Sequence, residues 1–342
     1  MLTRHRLTCL FLLLACCGGC RLVTASAAPG CSSCDGPFPR PQDQIWLVST
    51  RHLGSVCCED PAAGDVRIHR YDSRQGWIEA DAAAFYASDD PEMLTCFYVH
   101  AARVDHQAVA PRGFSVYRGL VSGTTPAPAM RLVIWSWPAD KTVRVLQDFR
   151  RLAERADSEA CYLGRFLSGI DPNVRVSLVG FSMGPRIING ALHLLGGGTL
   201  RGVTLPEDQG KPRVRVRAVL WAPAVDCCWL WPGQCHGKAL VQVDHMLAFY
   251  NLCDPVLSRY AMLDRCTSAE ALGYAGVPQP ERLGEARSRI ETRGLDSVLG
   301  KVHSFDRYVA SPFVMEHTRG WALWKTADPD AAAAQRGLEN SP

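Results

Sequence analysis

Gly180-Phe181-Ser182-Met183-Gly184 constrains the fold of this chain more than any other stretch. An apolar run, Val176-Ser177-Leu178-Val179, precedes it, and a segment with helical character, Pro185 to Leu195, follows. The pentapeptide is therefore G-x-S-x-G between a strand and a helix, the setting in which the pattern forms a nucleophile elbow. The turn is so sharp that side chains two residues before and two after the serine would collide, and glycine relieves both positions. The serine hydroxyl is then lifted above the sheet edge, where the N-terminus of the next helix favours developing negative charge. Otherwise the motif would be a glycine-rich turn carrying a surface serine.

The rest of the chain supplies the sheet that such an elbow needs. Ile45–Ser49, Val66–Tyr71, Met93–Val99, Met130–Trp137, Val214–Trp221 and Met246–Tyr250 read as further strands. Ala108–Leu120 reads as a helix, and Val143–Leu167 carries apolar residues at helical spacing with charges between them. Apolar strands separated by amphipathic helices predict an α/β fold, a mostly parallel sheet with helices on both faces. The expected domain spans 44–328, after a Ser/Gly/Pro-rich tether at 28–43 and before a disordered tail at 329–342.

A serine becomes nucleophilic through a base, and the base needs an orienting carboxylate. In elbow sites the acid follows the serine and the histidine comes last. Asp254 fits the acid, since it follows the strand ending at Tyr250 and stands before Pro255. The alternative is Asp226, after the preceding strand. His303 is the candidate base, in a loop beyond both acids. His52, His69 and His193 fall near early strands or on the elbow helix, and His236 and His245 lie between the two acids. The oxyanion hole would take one N–H from Met183 and one from Ala101 or Ala102, in the loop after the third strand. The tryptophans of Cys227-Cys-Trp-Leu-Trp-Pro232 would line an acyl pocket or pack in the core.

The N-terminus reads as a signal peptide over 1–27, with Arg4 and Arg6 ahead of an apolar stretch too short to span a bilayer. It offers two exits. Leu13-Leu-Ala-Cys16 matches a lipobox whose cysteine would be lipidated and tether the protein to a membrane, and Ala25-Ser-Ala27 matches an ordinary cleavage site. Either exit places the body outside the cytoplasm, in the periplasm or cell envelope. Arg4, Arg6 and Arg21 account for the whole formal charge of +3, so the body is neutral. Nothing suggests a basic face for nucleic acid. Arg213, Arg215 and Arg217 alternate with valine and read as the polar side of a strand.

Of 15 cysteines, eleven lie beyond the leader: Cys31, Cys34, Cys57, Cys58, Cys96, Cys161, Cys227, Cys228, Cys235, Cys253 and Cys266. In an exported chain they imply disulfides, with at least one thiol left over. Cys31-Ser-Ser-Cys34 has zinc spacing but no second pair to complete four ligands, so no metal is expected there. Cys96 and Cys253 read as buried strand residues.

Phe97-Tyr-Val-His-Ala-Ala-Arg-Val-Asp105, Val133-Ile-Trp-Ser-Trp-Pro138, the elbow and His303-Ser304 resemble a family of exported bacterial α/β-hydrolases of unknown substrate. The resemblance covers most of the chain beyond the leader. It implies the α/β-hydrolase fold and a Ser182, Asp254, His303 triad, without naming a substrate. The family reads His-Gly-Asn where this chain has His100-Ala101-Ala102. If the glycine needs positive φ, alanine strains the loop. The resulting expectation is a cofactor-independent serine hydrolase acting on a small-molecule or lipid-like acyl substrate. The rival is a non-catalytic module of the same fold that binds a ligand in the cell envelope.

Overall fold

The computed structural model describes residues 38–55, 66–123, 126–142, 145–206, 214–262 and 269–325. The leader, Cys16, residues 28–37 of the expected tether and the tail at 329–342 lie outside them, as do Cys31, Cys34, Cys57, Cys58 and Cys266. The strands are β1 (Gln44–Ser49), β2 (Arg67–Asp72), β3 (Gly76–Ala80), β4 (Leu94–Val99), β5 (Met130–Ser136), β6 (Arg175–Phe181), β7 (Thr199–Leu200), β8 (Val203–Thr204), β9 (Arg215–Trp221), β10 (Val243–Tyr250) and β11 (Ile290–Gly294). The helices are α1 (Ala82–Tyr86), α2 (His106–Val121), α3 (Val145–Ser168), α4 (Gly184–Leu195), α5 (Ala239–Gln242), α6 (Leu272–Ala275), α7 (Asp296–Leu299), α8 (Phe305–Ala310) and α9 (Pro312–Ala322).

Among the described residues, nine strands form one sheet in the order β11-β10-β9-β6-β4-β5-β1-β2-β3, and β7 and β8 pair separately. From β11 across to β1 every neighbouring pair is parallel, and β2 and β3 add an antiparallel edge. β4 and β5 are buried along their whole length, as strands covered on both faces must be. Alternation divides their side chains between two cores. Phe97, Val99, Val133 and Trp135 pack with Leu163 and Phe166 of α3 and with Ile187 and Ile188 of α4. Cys96, Tyr98, Leu132 and Ile134 pack with Val116 and Leu120 of α2 and with Phe305, Tyr308 and Val314 of α8 and α9. This is the α/β-hydrolase fold.

Topology decides where a site can form. The chain leaves β4 through α2 on one face to reach β5, and leaves the neighbouring β6 through α4 on the other face to reach β9. The two exits diverge and open a crevice at the carboxyl ends of β4 and β6, the usual ligand position in such sheets. The loop at 100–105 and the elbow lie on its two sides.

Four expectations need correction. Residues 38–43 were expected to be tether but are docked on the domain. The Phe38 ring packs against those of Tyr71, Phe114 and Tyr117. Arg40 Nε donates to Asp43 Oδ2 at 2.6 Å, and Asp43 Oδ1 accepts the Met130 N–H at 2.9 Å. Aromatic burial and an ion pair outweigh the loop-like composition. Arg217 is not on a polar face: it is 2% exposed, with its guanidinium 4.5 Å from the Trp324 ring centre. Cys253 lies in the exposed loop after β10 and not on a strand, whereas Cys96 is buried on β4. The expected disulfides do not appear at the described cysteines: Cys96, Cys161, Cys227, Cys228, Cys235 and Cys253 are all free thiols.

Candidate active site

Ser182 sits at the carboxyl end of β6 with φ of 57°, a left-handed conformation that costs a non-glycine residue about 1 kcal/mol or more. Its surroundings hold it there. Its N–H donates to the Trp221 carbonyl at 2.9 Å, and its own carbonyl accepts the Ala224 N–H at 2.8 Å. Both flanking glycines are required by contact. A Cβ on Gly184 would stand 2.2 Å from the Val99 carbonyl oxygen, and one on Gly180 would stand 2.7 Å from Ile188 Cδ1 and 2.9 Å from the Pro185 nitrogen. The elbow is thus pressed against the end of β4.

His303 reaches Ser182 from the far end of the chain. Its Nε2 lies 3.0 Å from Ser182 Oγ, and its Nδ1 lies 2.6 Å from Asp254 Oδ2. A carboxylate only accepts, so Nδ1 carries the proton and Nε2 is left to accept from the hydroxyl. The imidazole rests on the Phe181 ring, with centroids 5.2 Å apart. Asp254 is fully buried. Its Oδ1 accepts the N–H groups of Val256 and Leu257 at 2.8 and 2.9 Å. The Asp-Pro turn and the orientation of the base therefore use different oxygens of one side chain. Asn251 joins the two loops: its side-chain amide donates to the Gly300 carbonyl at 2.8 Å, and its Oδ1 accepts the Cys253 N–H at 2.9 Å.

The structure thus brings Ser182, His303 and Asp254 into one hydrogen-bonded chain. Asp226 is not part of it. The Asp226 Oδ1 accepts the Cys228 N–H at 2.8 Å, and its backbone bridges Ala271.

Met183 is the N-cap of α4, and no side chain caps that helix start. By contrast, the Asp105 side chain caps α2 by accepting the Ala108 N–H at 3.0 Å. The strand ends pair Val99 with Gly180, so Met183 and the Ala101-Ala102 segment occupy adjoining loops. Neither alanine has positive φ, and the left-handed residue of that loop is Arg103 at 60°. Alanine at 101 is therefore unstrained, and Ala101→Gly is expected to change kcat on a test ester by less than about tenfold. A repaired oxyanion donor would instead give about 10²–10³, and a gain of that size would show that the loop is damaged.

His100 anchors this loop from beneath. It is fully buried and stacks on Trp137, 5.5 Å between centroids. Its Nδ1 donates to the Ala101 carbonyl at 2.8 Å, its Nε2 accepts the Trp137 N–H at 3.3 Å, and the Trp137 indole donates to the His100 carbonyl at 2.9 Å. Burial, with Arg51 and Arg112 nearby, pushes its pKa down to about 3. An unfolded chain would protonate this histidine below about 6.5, whereas the fold resists until about 3. Its contribution to stability is therefore complete above pH 6.5 and is lost as pH falls through that window, at up to about 1.4 kcal/mol per unit. Burial lowers His193 and His236 too, with the same sign, while the buried Glu159 carboxyl is raised and acts in the opposite sense. The urea midpoint should fall between pH 7 and pH 5; a flat or rising midpoint would contradict this reading.

The Phe181 platform, the Asn251 brace and the Trp137 lock carry no cue in the sequence, because each depends on residues distant in the chain. Trp229 and Trp231 pack mainly as structural residues. Arg186 lies 4.5 Å from the Trp229 ring centre, Arg282 lies 3.7 Å from that of Trp231, and the Trp231 indole donates to the Pro278 carbonyl at 3.1 Å. A cavity of about 470 Å³ lined by His193, Thr199, Gln234, Cys235 and Lys238 sits at the opposite end of α4 from Ser182, away from this chemistry.

No protein-family model and no curated protein matches this sequence. Solved structures with a similar arrangement include esterase B from Lactobacillus rhamnosis, at 12% identity and a TM-score of 0.40, over 88% of this chain and 90% of that one. Acyl-protein thioesterase 2 from Zea mays is 15% identical with a TM-score of 0.38, over 69% and 94%. A Trichoderma reesei cutinase solved with a phosphonate inhibitor is 13% identical with a TM-score of 0.28, over 71% and 81%.

Proposed function

We propose that this protein is a serine hydrolase that cleaves an ester or related acyl bond through an acyl-enzyme on Ser182. The observation that carries the reading is the continuous Ser182–His303–Asp254 hydrogen-bond chain, at 3.0 and 2.6 Å. His303 Nε2 takes the Ser182 proton as Oγ attacks the carbonyl carbon, then gives it to the leaving group. Asp254 holds the tautomer and stabilises the imidazolium. The N–H of Met183 and that of Ala101 or Ala102 hold the oxyanion, aided by the start of α4. Water then repeats the sequence to release the acid. The scheme calls on no metal or cofactor, and its substrate is a small-molecule or lipid-like acyl compound.

A fluorophosphonate probe tests the reading. Ser182 should be labelled stoichiometrically, and heat-unfolded protein should not react. Folded protein that leaves the probe untouched would favour the non-catalytic binding module. The leader adds a location: the protein is exported and tethered through lipidated Cys16. The N-terminal peptide of protein from the native membrane fraction should carry acyl mass at Cys16, and a free Ala28 terminus would overturn the tether.

A further inference from the structure

The loop after β9 carries three ligand-type side chains that hydrolysis does not use. Asp226, Cys227 and Cys228 each offer one donor atom, and the three atoms lie within 4.8 Å of one another. Asp226 and Cys227 are buried, at 3% and 6% exposure, while Cys228 is partly open. Both cysteines are free thiols.

The sulfurs are in thiol–thiol contact at a separation that a shared metal ion would also accept. Cys227 Sγ and Cys228 Sγ are 3.7 Å apart. Two thiolates bound to one tetrahedral ion at about 2.3 Å are separated by the edge of the tetrahedron, about 3.8 Å. A disulfide would need about 2.05 Å, a much larger movement between adjacent residues.

The backbone holds this arrangement. Cys227 N–H donates to the Glu270 carbonyl at 3.0 Å, Cys228 N–H to Asp226 Oδ1 at 2.8 Å, and Trp229 N–H to the Asp226 carbonyl at 3.2 Å. Leu272 N–H donates to the Val225 carbonyl at 2.7 Å, so a second segment clamps the loop from outside. The backbone that carries the three donors is therefore held by a network independent of any ion.

We propose that Asp226, Cys227 and Cys228 bind a thiophilic divalent cation of the zinc class, with its fourth position open where Cys228 meets solvent. Two sulfurs and one carboxylate suit a borderline-soft ion. Calcium and magnesium, which take six or more oxygen ligands, are disfavoured. On binding, each thiol gives its proton to solvent as its sulfur bonds the metal, so one cation enters and two protons leave. The same loop donates the Ala224 N–H to the Ser182 carbonyl, so the ion would stiffen a segment that supports the elbow without touching the reacting atoms.

The test uses the full chain, reduced, stripped with a chelator and titrated with cadmium chloride. We expect one equivalent per chain with the ultraviolet thiolate-to-cadmium charge-transfer band, lost in Cys227→Ser and in Cys228→Ser and kept in Cys235→Ser. Asp226→Asn should weaken binding by about tenfold or more. Should the serine variants fail to fold, peptide mapping of wild-type protein decides: cadmium should protect Cys227 and Cys228 from N-ethylmaleimide. Unprotected thiols at both positions, or a Cys227–Cys228 disulfide in the isolated protein, would overturn the proposal. No outcome depends on esterase activity, so the hydrolase reading stands or falls separately.

Discussion

Ser182→Ala is expected to lower kcat on short p-nitrophenyl esters by about 10³-fold or more, the loss typical of removing a triad nucleophile. The reason is geometric. His303 Nε2 faces Ser182 Oγ at 3.0 Å, and removing that oxygen leaves the base with nothing to deprotonate. The fold should survive. Serine and alanine are similarly disfavoured at φ of 57°, and the clamps from Trp221 and Ala224 use only backbone atoms. The melting temperature should therefore move by only about a few degrees, which separates chemistry from unfolding. A variant that keeps most of the wild-type kcat would sink the assignment.

Asp254→Asn is expected to cost about 10⁴-fold in kcat. The amide can place its oxygen on the Val256 and Leu257 N–H groups, as Asp254 Oδ1 does, so the turn is kept. Its NH₂ then faces His303 Nδ1, which has to accept. The proton moves to Nε2, and the imidazole can no longer take one from Ser182. The charge that stabilises the imidazolium is lost as well. Asp226→Asn should lose less, since Asp226 faces the Cys228 N–H and not His303. The reverse ranking, measured by steady-state kinetics on the same ester, would place the acid after β9.

The sequence carried the triad candidates because each stands next to an element with a clear signal. The β6 run ends at the elbow, the β10 run ends just before Asp254, and His303 precedes the apolar stripe of α8. What it hid had no such signal. β11 is Ile-Glu-Thr-Arg-Gly, a mostly polar edge strand recognisable only by its pairing with β10. β3 is five residues long and half-exposed, and it becomes a strand by pairing with β2. Residues 38–43 read as tether because they continue a Ser/Gly/Pro-rich stretch, whereas Phe38 and Asp43 find partners more than 70 residues away. Choosing between Asp254 and Asp226 required the distance to His303, which no spacing in the chain encodes.

In the G-x-S-x-G pattern, the two unspecified positions are the ones a reader ignores. Here Phe181 belongs to the core on the α2, α8 and α9 side and lies beneath the His303 ring, while Met183, 1% exposed, belongs to the core on the α3 and α4 side. Each anonymous position is a peg driven into a different layer, and Ser182 is the rail between them. The aim of the nucleophile is thus a readout of how well both layers are filled. Change the volume of either, and the distance from Oγ to the base becomes the first gauge to register it.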